Sequence, residues 1–361
     1  MFLFLIKVEE LGLTKKNKKR ILNLLLLLLI IGGTFYLLLK DQELGAVMSA
    51  MERAKKLPLV IGIGLVIFFV CCESFIIHYL MKRLDQGVKL FHCIKYSFIG
   101  FFYSAVTPSA SGGQPMQIYY MNRDGIGVAP ATLVLIIITA VYKAVLLLLG
   151  AVAGIMEFKT LKDNLGGVRI LLAIGVIANL LFIGFLLMII FKHSFSKRII
   201  GSFILWCRKH RLLKNTDRIL KKLLKLLETY ESCADYIKKN SSVFFYVILV
   251  TVIQRVSLFF ITFLVYKSFG LHGTSVYQIV ALQTMIALAI DVIPVPGGIG
   301  FSESCFLVLF DKIFGEQLII PGMLLSRGIT YYVLIVISAI ITLIAHLTSG
   351  QKQIKESGMD K

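Results

Sequence analysis

The stretch DVIPVPGGIGFSESCF, residues 291–306, interrupts an apolar region of the chain with residues that membrane helices rarely contain. It begins with Asp291, contains two prolines and three glycines, and has a second acid at Glu303. Proline and glycine break helices, and the backbone N–H and C=O groups that a break frees cannot face lipid. The stretch therefore predicts a broken segment at membrane depth that lines a space enclosed by protein or filled with water.

The surrounding sequence has the composition of an integral membrane protein. Of its 361 residues, 57% are apolar and only 16% are charged. Many apolar segments are long enough to cross a hydrocarbon core of about 30 Å. They fall at residues 21–39, 57–81, 94–107, 130–154, 168–191, 243–269, 275–293, 301–314 and 319–347. We expect an all-α, polytopic helical bundle of about six to eight spans, forming a single transmembrane domain over residues 1–361.

The positions of Lys and Arg predict the topology. Residues 192–242 form a basic segment between two halves of the chain, with thirteen Lys and Arg between Lys192 and Lys239. If every apolar segment crossed, this segment would lie outside the cell, against the positive-inside rule. The conflict disappears if residues 94–129 and 275–318 are re-entrant hairpins, entering from the cytoplasm and from the outside respectively. Both termini are then cytoplasmic, and the opposite hairpins predict an inverted repeat.

A similarity between the two breaks supports the repeat. Each break has a glycine pair after a proline, and a cation follows the pair by 30 residues at Lys143 or by 29 at Arg327. Backbone N–H groups after such a break can bind an anion, whereas the alternative is that the glycines serve only close helix packing. The candidate substrate-binding glycines are Gly112, Gly113, Gly297, Gly298 and Gly300.

Ionisable side chains inside apolar segments are the strongest functional signal. The candidate substrate-binding residues are Glu73, Lys143, Arg255, Asp291, Glu303 and Arg327, with Asp311 expected nearer an interface. Each would cost about 3 kcal/mol if it faced lipid, so we expect them to face one another, water or a polar ligand. The cations suit a lipid phosphate, and the carboxylates suit a cationic headgroup or a coupling ion. The alternative is a set of internal ion pairs that only hold helices together.

The segment at residues 208–225, RKHRLLKNTDRILKKLLK, combines basic residues with leucines and isoleucine at helical spacing. It predicts an amphipathic helix on the anionic cytoplasmic leaflet, although a solvated basic linker is the alternative. Elsewhere the histidines are isolated, and neither HExxH nor paired CxxC spacing occurs. We therefore predict no catalytic residues, no metal site and no cofactor.

Two motifs carry a resemblance to a known family. TPSASGGQPMQIYYMNRDG at residues 107–125 and IPVPGGIGFSESCFLVLF at residues 293–310 resemble the transmembrane-region family of lysylphosphatidylglycerol synthases, also called flippase-like proteins. The resemblance covers nearly the whole chain. It implies a plasma-membrane translocator of an anionic or aminoacylated phospholipid, such as lysyl-phosphatidylglycerol, that contributes to resistance against cationic antimicrobial peptides.

In the multiple peptide resistance factor proteins, such a domain is followed by a soluble domain that uses lysyl-tRNA. Here only a short polar tail follows Leu347, so we expect no soluble synthase domain. Two alternatives stay open. One is a phosphatidylglycerol lysyltransferase, alone or with a separate synthase subunit, in which residues 208–225 bind lysyl-tRNA. The other is a membrane scaffold without transport. A homo-oligomer is compatible with either.

Overall fold

The computed structural model describes residues 44–107, 110–156, 168–191, 235, 242–291 and 293–359. The first span expected at residues 21–39 and the amphipathic helix expected at residues 208–225 lie outside these ranges. Within them, every regular element is a helix. The all-α prediction is therefore confirmed.

The helices follow one another with short connections. They are α1 (Leu44–Arg53), α2 (Lys56–Arg83), α3 (Leu90–Ala105), α4 (Gly113–Arg123), α5 (Val128–Met156), α6 (Val168–Phe191), α7 (Ser242–Ser268), α8 (Val276–Ile290), α9 (Phe301–Phe314), α10 (Ile319–Arg327) and α11 (Leu334–Met359). A 3₁₀ turn at Pro296–Gly298 precedes α9, and a π-helical turn at Gly328–Val333 joins α10 to α11.

Five segments in the described part are long and apolar enough to cross a membrane. They are Lys56–Arg83, Val128–Met156, Val168–Leu186, Ser242–Ser268 and Ile319–Leu347. The last one runs through α10, the π-helical turn and most of α11 without interruption. The protein is thus a polytopic helical membrane protein.

Both expected breaks are present, and each separates two short helices. In the first hairpin α3 has 16 residues and α4 has 11, and in the second α8 has 15 and α9 has 14. At 1.5 Å per residue these helices are about 16 to 24 Å long, less than a hydrocarbon core of about 30 Å. The sequence placed both hairpins correctly. The side of the membrane from which each one enters stays a prediction.

The order of long and short helices repeats along the chain. Long α2, short α3 and α4, and long α5 correspond to long α7, short α8 and α9, and the long α10–α11 segment. α2 and α7 pack antiparallel, since Gln254 Nε2 donates to the Phe69 carbonyl over 2.9 Å and the rings of Tyr79 and Tyr246 lie 4.2 Å apart. Equivalent helices that run in opposite directions are the arrangement of an inverted repeat.

The buried apolar side chains also divide between the halves. One large cluster comes mainly from α2 to α5, and the other mainly from α2 and from α7 to α10. The two halves therefore each have a core, and α2 contributes to both.

The breaks of the two hairpins contact each other. Ala105 and Val106, at the end of α3, pack with Ile299 and Tyr331, and the Tyr331 hydroxyl donates to the Ala105 carbonyl over 3.2 Å. We expected the hairpins to meet at a polar cavity, but this contact is apolar and aromatic. The reason is that each hairpin satisfies its own freed backbone groups, as the following geometry shows.

Candidate functional site

Arg327 and Glu303 form a buried ion pair within the second hairpin. Arg327, the last residue of α10, donates from Nε to Glu303 Oε1 over 2.8 Å and from Nη2 to the Gly297 carbonyl over 3.0 Å. Glu303 is 2% exposed, and its other oxygen accepts the N–H of Gly300 over 2.7 Å. Both carboxylate oxygens are therefore occupied, and the pair closes the break.

Glycine is needed in this break because the backbone turns sharply beside an aromatic ring. Gly297 has φ of +60°, and a Cβ placed there would overlap the ring of Tyr331. The Arg327 guanidinium lies over the same ring, 4.6 Å from its centroid. Gly298 and Gly300 also have positive φ, at +63° and +86°. These glycines allow Tyr331 and Arg327 to pack directly on the turn.

The first break uses its glycines in the same way. A Cβ on Gly112 would lie 2.6 Å from Cγ2 of Thr107, and one on Gly113 would lie 2.6 Å from the Gly100 carbonyl oxygen. The N–H of Gly112 donates to Thr107 Oγ1 over 2.9 Å, and the N–H of Gly298 donates to a carbonyl within its own turn over 3.1 Å. Together with Gly300, three of the five candidate glycines thus use their N–H groups inside the protein.

Lys143 and Asp291 form a second ion pair, which joins the two halves. Lys143 lies in α5 and donates to Asp291 Oδ2, while its neighbour Tyr142 donates to Asp291 Oδ1 over 3.0 Å. Asp291 is the residue that ends α8 at the start of the second break. The first half therefore holds the second break through this carboxylate.

Arg255, in α7, is held by aromatic rings. Its guanidinium carbon lies 3.9 Å from the ring centroid of Tyr142 and 4.9 Å from that of Phe69. Its Nε is buried and has no hydrogen-bond partner among the residues that the structure describes. Arg255 thus differs from Lys143 and Arg327, each of which donates directly to a carboxylate.

Glu73, in α2, completes the group around Arg255. Its Oε1 accepts a hydrogen bond from Gln117 Nε2 of α4 over 2.8 Å, and its carboxylate interacts electrostatically with Arg255. We call the following residues the central charged cluster: Glu73, Gln117, Tyr142, Lys143, Arg255 and Asp291. Its members come from α2, α4, α5, α7 and the second break, so both halves contribute to it.

The structure divides the six predicted ionisable residues into two groups. Arg327 and Glu303 stabilise the second hairpin, and the other four lie in the central charged cluster. Asp311 is separate from both, since it is exposed near the far end of α9. Gln117, Tyr142 and Tyr331 were missed in the sequence. Tyr142 directly precedes Lys143 and Gln117 lies in the first glycine motif, so proximity to those features was the available signal for two of them.

Antiparallel long helices, two broken hairpins and charges shared between the halves define a class of polytopic membrane protein that holds polar groups at hydrocarbon depth. Residues 22–338 match the family described as "Lysylphosphatidylglycerol synthase TM region". The chain belongs to this family. A comparison with curated proteins finds no match.

Proposed function

We propose that this protein is a lipid translocator that moves an aminoacylated or anionic phospholipid, such as lysyl-phosphatidylglycerol, between the leaflets of the plasma membrane. The observation that carries the proposal is Arg255, whose buried Nε has no partner among the described residues. A buried donor without a partner costs about 1 to 3 kcal/mol, and more when it is charged. A ligand that supplies an acceptor would remove that cost.

A phosphodiester is the acceptor that best suits this guanidinium. The planar fork of an arginine binds two phosphate oxygens at once, which a lysine ammonium does not. The rings of Tyr142 and Phe69 stabilise the cation in the absence of ligand, since aromatic faces attract cations. Arg255 is therefore fixed in place before the lipid binds.

The carboxylates of the cluster suit the cationic part of such a lipid. Glu73 accepts one hydrogen bond from a neutral amide, so it has further acceptor capacity for an ammonium group. Asp291 already receives Tyr142 and Lys143, and we assign it a supporting role. An aminoacylated headgroup would place its phosphate on Arg255 and its amine on Glu73.

Movement between leaflets would come from a change in how the two halves pack. Inverted-repeat transporters place their site between the repeats and expose it to each side in turn. The cluster and the contact between Tyr331 and Ala105 both lie between the halves, so rocking of one half would change both. With cytoplasmic termini, transport toward the outer leaflet would reduce negative surface charge and lower sensitivity to cationic antimicrobial peptides.

Reconstitution in vesicles tests the proposal. Fluorescent lysyl-phosphatidylglycerol is placed in the inner leaflet, and its appearance outside is followed with a membrane-impermeant quencher. We expect transport above that of protein-free vesicles. The same protein is then given labelled lysyl-tRNA and phosphatidylglycerol. Lipid-linked lysine without transport would overturn the proposal in favour of a lysyltransferase, and neither activity would favour a scaffold.

A further inference from the structure

We propose a second lipid site on this protein, at the seam between α2 and α7, that binds one acyl chain of an anionic phospholipid. A groove of about 450 Å³ runs along this seam. Its walls are formed by Ile61 and Leu65 of α2 and by Val252, Val256, Ser257 and Phe260 of α7. Nothing in the central charged cluster forms part of these walls.

The groove is apolar and open to the surroundings of the bundle. Ile61 is 46% exposed and Val256 is 36% exposed. The hydroxyl of Ser257 donates to the Gln254 carbonyl over 2.9 Å, so this side chain uses its polar hydrogen within α7. In a membrane the groove therefore faces acyl chains, and a chain that enters it gains contacts on two sides.

The position of Lys267 indicates which lipid the groove binds. Val256, Phe260 and Lys267 have helical spacing that puts them on one face of α7. At 1.5 Å per residue, Lys267 lies about 10 Å beyond Phe260 and about 22 Å beyond Val252. One leaflet of a hydrocarbon core is about 15 Å deep. The groove thus covers the depth of an acyl chain whose headgroup is level with Lys267.

The end of the seam beside Lys267 is positively charged. The Lys267 ammonium has contacts at 3.3 Å with the Leu271 carbonyl and with His272 Nδ1, and an ammonium has three donors. Lys55 donates its N–H to the Ser268 carbonyl over 2.8 Å, which fixes the N-terminus of α2 next to the end of α7. Lys55 and Lys56 are exposed there, and a helix N-terminus also favours negative charge. A phospholipid with net negative charge is the complementary occupant.

This site does not depend on the proposed transport function, because its ligand can be bound without being moved. Its test is retention of lipid, measured by native mass spectrometry of the full chain after exchange from nanodiscs into detergent. The nanodiscs contain equal amounts of phosphatidylglycerol and phosphatidylcholine. We expect the wild-type protein to retain phosphatidylglycerol in preference to phosphatidylcholine.

Two substitutions separate the headgroup from the chain. Lys267→Gln should lower the preference for phosphatidylglycerol by about fivefold, the value expected for one lysine near an anionic surface, and Lys267→Arg should restore it. Val256→Trp fills the groove and should lower retention of both lipids. The matched controls are Lys312→Gln, an exposed cation of α9, and Leu181→Trp, a residue of α6 that is 71% exposed.

The comparison is made among variants with the wild-type melting temperature. If Lys267→Gln keeps the wild-type preference, or if Val256→Trp retains as much lipid as Leu181→Trp, the site is overturned. If Val256→Trp fails to fold, Ser257→Phe narrows the same groove and replaces it. Loss of lipid transport with normal retention, or the reverse, would show that the two proposals fail separately.

Discussion

Arg327 and Glu303 lie 24 residues apart in the sequence and form an ion pair of 2.8 Å inside the second hairpin. The pair connects the first turn of α9 with the last residue of α10, and Arg327 also reaches the Gly297 carbonyl. A break that would otherwise leave backbone groups unsatisfied in the membrane is thus closed by one arginine. The stability of the hairpin should depend on both partners.

Removing one partner of this pair should destabilise the protein strongly. Glu303→Gln leaves the Arg327 charge without its carboxylate, and breaking a buried ion pair in this way costs about 3 to 5 kcal/mol. The double variant Glu303→Gln/Arg327→Gln should cost less than the sum of the two single variants. Unfolding by SDS titration measures all three. Strictly additive free energies would show that the two side chains do not interact.

Gly297 should tolerate alanine less well than a glycine with similar backbone but free space. Gly297 has φ of +60° and its added Cβ would overlap the Tyr331 ring, whereas Gly125 has φ of +90° and an added Cβ meets nothing within 4 Å. Both alanines cost the backbone strain of about 1 to 2 kcal/mol, and only Gly297→Ala adds the overlap. Melting temperatures of the two variants should therefore differ. Equal losses would mean that the ring moves aside freely.

The hydrogen bond between the two hairpin breaks should contribute modestly. Tyr331→Phe removes the donor to the Ala105 carbonyl, which should lower the free energy of unfolding by about 1 kcal/mol. Tyr246→Phe is the control, because the Tyr246 hydroxyl has no hydrogen bond to any described residue. The same SDS titration compares the two. A larger loss in the control would remove Tyr331 from this role.

The fold was more accessible from the sequence than the site. Pro and Gly at residues 294–300 placed the second break correctly, because those residues act on their own backbone. The pairing of Lys143 with Asp291 could not be read in the same way, since it depends on how two helices 148 residues apart are packed. The reach of Tyr331 across to Ala105 depends on a π-helical turn, and no sequence pattern indicated that turn.

The glycines illustrate the same limit. Their presence indicated a tight turn, which the structure has, but their N–H groups have two possible uses. Gly300 and Gly112 donate to Glu303 and Thr107, and only the folded geometry reveals those partners. The sequence therefore identified which residues mattered and left their contacts undetermined.

A cluster outside the spans should make stability depend on pH. Burial raises the pKa of Asp124, but hydrogen bonds from Lys95 and Tyr96 and the charge of Lys95 outweigh it and hold the pKa below its usual value of 3.8. A lowered pKa adds stability above that value, and the contribution is lost as the pH falls through the folded-state pKa. The stability difference between wild type and Asp124→Asn should thus shrink below about pH 4.

Melting temperatures of both proteins from pH 7 to pH 3 check this prediction. The difference isolates Asp124 because the other carboxylates titrate in both proteins. A difference that stays constant over the whole range, or grows in acid, would contradict the assigned role of Lys95 and Tyr96.

The central claim is that Arg255 binds the phosphate of a transported lipid, and the most direct measurement is the rate at which fluorescent lysyl-phosphatidylglycerol crosses vesicles that contain Arg255→Gln. A lost hydrogen bond to a charged group corresponds to about a ten- to hundredfold effect. We predict a loss in this range at equal amounts of folded protein, partial activity for Arg255→Lys, and the wild-type rate for the exposed control Lys312→Gln. Transport at the wild-type rate in Arg255→Gln would contradict the account.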